Sequence, residues 1–164
     1  MDKVEIRITG VEAIKRNLMR RLEGLKNQFQ MRLMQLAEEA VTYSKEQKGY
    51  KDRTANLKNT ISFALFRDGE LVTQVINQNN ELPPEYKDKK VDAAYIEDRL
   101  KAYYSQPGVV AQKGFTLCVV APMNYAEYVE QHGYNVLYLT KPFLHDRIIE
   151  EWLAACKADK SAHQ

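Results

Sequence analysis

Residues 61–78 read ISFALFRDGELVTQVINQ, and this stretch decides the fold. Ile61, Phe63 and Leu65 alternate along its first half. Val72, Gln74 and Ile76 alternate with Leu71, Thr73 and Val75 along its second. Between the two runs stands Asp68-Gly69, a tight-turn pair, because glycine enters positive φ freely. The stretch predicts a β-hairpin and therefore strands that run antiparallel.

Upstream, Val11, Ile14, Leu18, Leu22, Leu25, Phe29, Leu33, Leu36 and Ala40 recur every three or four residues. That spacing predicts one long helix with a single apolar stripe facing a core. Gly24 interrupts it and is expected to bend or split it, since an unbroken helix over 11–47 would span roughly 55 Å. The alternative is that part of the helix leans on a neighbouring subunit. Before the helix, KVEIRIT alternates Val4, Ile6 and Ile8 with Glu5, Arg7 and Thr9, the pattern of a half-buried strand. After it, Asp52 and Thr54 are candidate caps for a short helical turn through Leu57.

Downstream, residues 79–113 have the look of an insertion. NNELPPEYKDKK is polar and Pro83-Pro84 breaks regular structure, while Asp92 can cap a helix carrying Ile96, Leu100 and Tyr103. FTLCVVA is apolar almost throughout and suits a central strand. In the stretch that follows it, Asn124 is read as a helix cap, with Glu127 bonding back to it and Met123 packing on Tyr128. Gly133 fits the left-handed position that ends such a helix. YNVLYL reads as a last strand, and Pro142 opens a C-terminal helix. Phe143, Ile148, Ile149, Trp152, Leu153 and Cys156 supply that helix's apolar side, and the final KADKSAHQ is expected to fray. Together these readings predict one α+β domain over 1–164, interrupted by the 79–113 segment. A long N-terminal helix and a C-terminal helix pack on one face of a mostly antiparallel sheet.

Size and composition agree with one core. The chain has 164 residues, 45% of them hydrophobic, and a chain of this length buries about 70% of its unfolded surface. The net charge of +2 demands no acidic partner, but residues 1–60 hold 13 Lys/Arg against 8 Asp/Glu, so the first third is mildly basic. Cys118 and Cys156 are isolated from each other and form neither a disulfide framework nor a zinc motif. The start MDKVEIRITG lacks an apolar signal region, and no run approaches 18 apolar residues. The expectation is a chain made and kept in a reducing cytoplasm, with no membrane partner.

Motifs for catalysis are scarce. His132, His145 and His163 show no metal-binding spacing, and no phosphate loop or nucleophile elbow is present, so no metal and no cofactor are expected. Cys118 with His132 would be a thiolate pair, but a buried, inert strand cysteine explains Cys118 more simply. Glu127 and Glu130 are better explained as a cap and a surface charge than as an acid–base pair. Tyr86, Tyr95, Tyr103 and Tyr104 lie among lysines, and Arg16, Arg20 and Arg21 lie on the long helix. Such residues suit either nucleic-acid binding or ordinary packing and solvation.

The order of segments carries a resemblance. DRTANLKNTI, a hairpin, a strand leading into APMNYAEYVEQHG, and then KPFLHDRIIEEW is similar to the tailed-phage neck proteins. These are the head–tail joining, tail-completion or gene-ten-like minor capsid group. Their T-G-x-L-x-x-S-I segment matches Thr54, Leu57, Thr60 and Ile61, just after Asp52 and Arg53. Their Y-A-x-x-V-E-x-G segment matches Tyr125, Ala126, Val129, Glu130 and, one residue late, Gly133. Pro142, Phe143 and Leu144 match a P-F-L helix start. Ala55 stands where the family pattern has glycine.

The resemblance implies a non-catalytic subunit of a ring, a hexamer, in the virion. The ring would contact portal or adaptor and tail proteins and have a lumen that DNA traverses. It also implies that Asn124, Tyr125, Glu127 and Tyr128 form a rigid, self-capped helix, with Glu130 free to pair with a base on a neighbour. The alternative is a small nucleic-acid-binding module built on the basic helix and the tyrosine-rich insert.

Overall fold

The hairpin forms where the alternation places it. The computed structural model describes residues 10–161, in which β1 (Ser62–Arg67) and β2 (Glu70–Val75) pair antiparallel. Asp68 and Gly69, at φ +50° and +87°, make the turn between them. A third strand, β3 (Phe115–Val120), pairs antiparallel with β1 from Ser62↔Val120 to Arg67↔Phe115. Among the described residues the sheet order is β2-β1-β3, which leaves β3 at an edge where its apolar sequence predicts a central strand.

Helices cover both faces. The long helix α1 (Val11–Glu46) runs unbroken through Gly24, where a side chain would meet nothing within 4 Å. Gly24 faces solvent, so it costs its intrinsic propensity, roughly 1 kcal/mol, without splitting the helix. The C-terminal helix, α5 (Thr140–Ser161), lies antiparallel to α1. Their contacts step from Ser44–Thr140 (2.7 Å between hydroxyls) through the Tyr43–Phe143 stack to Phe29–Trp152 at the far end. α5 continues through Ser161, where fraying was expected. Phe29, Leu33, Leu36 and Leu65 form one cluster with Phe115, Leu117, Leu144 and Ile148. Ala37, Val41, Ile61 and Phe63 form the next. Ile149, Trp152 and Leu153, expected on the buried side of α5, are exposed, although the Trp152 ring keeps its edge contact with Phe29. The fold is α+β, with both long helices on one face of an antiparallel sheet.

The segment expected as an insertion closes the other face. After a 3₁₀ turn at Pro84–Lys89, helix α3 (Ala93–Tyr104) starts at Asp92, whose carboxylate accepts the Ala94 N–H. Ile96 and Leu100 are fully buried, and Leu100 packs against Ala64, Phe66 and Cys118. β1 is consequently buried at five of its six positions. Within residues 79–113, Ile96 and Leu100 of α3 belong to the core.

One expected strand is not in the sheet. YNVLYL forms turns just before α5 rather than a strand. KVEIRIT lies outside the described residues.

One face of α1 changes character along its length. The stripe is buried from Phe29 to Ala40 but bare further upstream: Val11, Ile14, Leu18, Met19 and Leu22 are 44–69% exposed. Arg67 marks the end of the sheet against α1, reaching Glu23 and, at 2.6 Å, Asn27. Beyond Glu23, α1 runs on past the sheet as an arm of three turns.

Candidate functional site

Two segments distant in sequence meet at the far end of α1. The first begins as α1 stops: Asn135 accepts the Gly49 N–H through its backbone carbonyl and donates its side-chain amide to the Gln47 carbonyl. The chain then turns into α2 (Asn56–Asn59). Ala55, not Asp52 or Thr54, is the boundary residue, but the oxygens of Asp52 and Thr54 accept the backbone N–H groups of Lys58 (3.1 Å) and Asn56 (3.2 Å) in its first turn. Between them Ala55 sits at φ +56°, ψ +11°, a left-handed conformation costing a non-glycine residue about 1–2 kcal/mol.

A buried amide network holds that turn. Asn79 donates to the Thr54 carbonyl (2.7 Å) and to Asn56 Oδ1 (2.8 Å), and its own oxygen accepts from Asn59 and from the Glu81 N–H. Asn56 donates in turn to the Lys89 carbonyl. Asn79 is 1% exposed. Sequence reasoning placed it in a polar loop and missed it. A lone asparagine carries no periodicity, and only the carbonyls it meets give it meaning. Thr60 and Ile61 are fully buried behind this turn, with the Thr60 hydroxyl donating to the Asn56 carbonyl.

The second segment is α4 (Ala126–Gln131), and here the expected capping is reversed. Tyr125, not Asn124, is the boundary residue, and no side chain caps the helix start. Glu127 is exposed and accepts from Gln131 one turn on. Met123 is buried against Leu57, Ala126 and Val136 while Tyr128 is 64% exposed, so these two form no staple. Glu130, expected to be free, is committed inside the chain. Its carboxylate accepts the backbone N–H groups of Val136 (2.9 Å), Leu137 (2.8 Å) and Tyr138 (3.0 Å).

Those three bonds replace the ladder that YNVLYL would have needed, which is why it turns instead of extending. Gly133 at φ +80° ends α4 as expected. The Tyr134 N–H reaches back to the Val129 carbonyl and the Gly133 N–H to that of Glu130.

Where the segments meet they enclose an open cleft of about 910 Å³, lined among others by Tyr50, Asp52, Arg53, Tyr125, Tyr128 and His132. Burial pushes the Tyr50 phenol far above its usual range, reinforced by Asp52. Its hydroxyl has no hydrogen-bond partner among the described residues. Burial raises the Tyr125 phenol too, against a hydrogen bond with Thr54 that lowers it. The structure thus brings Asp52, Arg53, Thr54 and Leu57 together with Tyr125, Tyr128 and Val129. Pro142 and Phe143 lie elsewhere, in the first turn of α5.

No family model, no curated protein and no solved structure matches the chain. Function therefore has to be argued from the geometry. The cleft offers phenols, a guanidinium and an imidazole whose Nδ1 is engaged with the Tyr128 carbonyl at 2.7 Å. Cys118 packs against Phe66 and Leu100 within the sheet, and burial raises its thiol pKa, which keeps it protonated. Among the described residues no three His, Cys, Asp or Glu side chains are grouped to hold a metal ion. No helix among them is long and apolar enough to cross a membrane.

Proposed function

We propose that the chain is a structural subunit of a phage or prophage neck ring, joining the portal side to the tail and leaving a passage for DNA. One observation carries the self-assembling part of this reading: the bare half of the α1 stripe. Ile14 and Leu18, 69% and 65% exposed, continue the same face that Phe29 and Leu33 bury. Contiguous apolar surface of this kind marks a contact surface.

Two features support the neck-protein part. The matched segments around Thr54 and Tyr125 fold into one unit and share a cleft. The backbone at Ala55, where the family pattern carries glycine, is left-handed. In such a ring the unit around the cleft serves contact rather than catalysis. Arg16 and Arg20 project from the side of α1 opposite the stripe, where they suit a DNA-lined lumen.

Sedimentation of the chain, alone and with portal or tail proteins, tests the reading. Oligomers that grow with concentration, or assembly on the partner ring, are expected. A monomer under every condition overturns it.

A nucleic-acid-binding module is the second reading, favoured by the exposed cations Lys15, Arg16 and Arg20. It draws less on the insert, where the Tyr104 ring packs against Phe66 and Tyr95 carries Arg99 over its face. Steeply salt-dependent binding to DNA by the unassembled chain is its signature.

A further inference from the structure

The open edge of β3 is a vacancy of defined shape. β3 is apolar except at Thr116, and its two faces are covered by α1 and by α3. It pairs only with β1 among the described residues. Along its other edge runs an apolar groove of about 1290 Å³. The groove is lined by Leu117 to Ala121 of β3 and its end, by α4 and the loop after it, with Glu127 and Gln131 at its rim, by α5 from Thr140 to Ile148, and by Tyr103 of α3. β2, the opposite edge, begins with Glu70 and pairs through a bulge at Leu65/Phe66, features that blunt an edge.

The chain contains a segment with the right pattern and length. Residues 3–9 alternate Val4, Ile6 and Ile8, and seven extended residues span about 23 Å against about 20 Å for β3. That segment cannot reach the groove of its own chain. Phe29, whose ring meets Phe115 at the near end of β3, lies roughly 28 Å along the α1 axis from Gly10. Val4 is six residues from Gly10 and, fully extended, stands within about 21 Å of it. Ile6 and Ile8 stand nearer still.

We infer that residues 3–9 of one copy add as a fourth strand to the β3 edge of a second copy. The bare stripe Val11–Leu22 follows directly and packs against that same neighbour. The backbone N–H and C=O groups on the free edge of β3 pair with those of the incoming strand, and the alternating Val4, Ile6 and Ile8 side chains enter the groove. Donor and acceptor are different surfaces of each copy, so the contact is heterologous and propagates head to tail until a ring closes. This joint rests on the ring reading only in requiring self-association.

The test uses the full chain beside Ile6→Glu and Leu18→Glu, read by sedimentation velocity and by hydrogen exchange at 115–120. Leu18 is exposed, so its variant keeps the monomer fold, which circular dichroism verifies. The wild type is expected to assemble as concentration rises, with β3 amides gaining protection on assembly. Both variants are expected to stay monomeric and lose at least about tenfold of that protection. If the variants assemble as the wild type does, this joint is wrong, while a ring built through another surface survives. Protection, in the dilute monomer, of the alternate β3 amides that point away from β1 would mean that the segment closes on its own chain, and overturns the proposal. A wild type that never self-associates overturns it too, and leaves the ring reading to be decided with portal or tail proteins.

Discussion

Ala55 bears a conformational cost that a smaller residue would not. Its φ of +56° is held by the Asn56–Asn79 amides and the Asp52 and Thr54 oxygens, none of which depends on its methyl group. Ala55→Gly is therefore expected to raise stability by about 1 kcal/mol, the left-handed penalty less the added freedom of the unfolded chain. The midpoint of urea unfolding measures it, and an unchanged or lower midpoint would mean that the turn is not strained.

Tyr50 makes a second residue-scale prediction. Its phenol is held above the ordinary value of 10.0 by burial, so between that pH and its folded value the native state keeps a proton that the unfolded chain has lost. The stabilising contribution is whole below pH 10 and falls as pH rises, by up to about 1.4 kcal/mol per pH unit. Cys118 and Tyr125 shift in the same direction. Tyr50→Phe should flatten part of that alkaline decline. It should cost little at neutral pH, because the hydroxyl it removes makes no hydrogen bond with the described residues.

At the scale of elements, α4 and the loop after it form one unit through Glu130. Removing that carboxylate leaves three backbone N–H groups of Val136–Tyr138 without their acceptor, so Glu130→Ala is expected to cost about 2–3 kcal/mol. Glu127→Ala, at an exposed site on the same helix, should fall within about 0.5 kcal/mol of the wild type. Thermal melts of the pair decide the matter. The reverse ranking would restore Glu127 as the cap.

Sequence periodicity could not have made this distinction. Both glutamates lie near one side of a two-turn helix, and what separates them is the course of the chain six to eight residues later. Elements with strong periods were legible: the hairpin, the α1 stripe and α5, with Pro142 in its first turn. Elements defined by partners were not. α3 seemed peripheral because its flanks are polar, yet Ile96 and Leu100 seal the second face of the sheet. FTLCVVA pointed to a central strand because its two faces are covered by α1 and α3. Covered faces do not reveal an open edge. The meeting of the 52–61 and 125–133 segments was legible only as a resemblance in their order. The Asn79 network beneath them left no trace in the pattern.

The whole molecule exposes more surface than a chain of its size should. Its 11594 Å² compares with about 8400 Å² for a compact monomer of 19.0 kDa. Granting the twelve residues outside 10–161 the full area of an unfolded chain still leaves an excess of roughly 1700 Å². That is about two patches of the 800 Å² that each partner contributes to a standard interface. Two patches per subunit is the requirement of a ring, in which every copy has a neighbour on either side. The excess also predicts how stability depends on concentration. An association that engages only the folded chain adds up to about 1.4 kcal/mol per tenfold increase in protein, or roughly 4 °C in melting temperature for a chain of this length. The melting temperature of the wild type should climb accordingly, while that of Leu18→Glu, with a charge placed on the bare stripe, should stay level. Equal, flat curves would show that the exposed half of α1 has no copy of this chain to cover it. The surplus area would then have to be matched to a different protein.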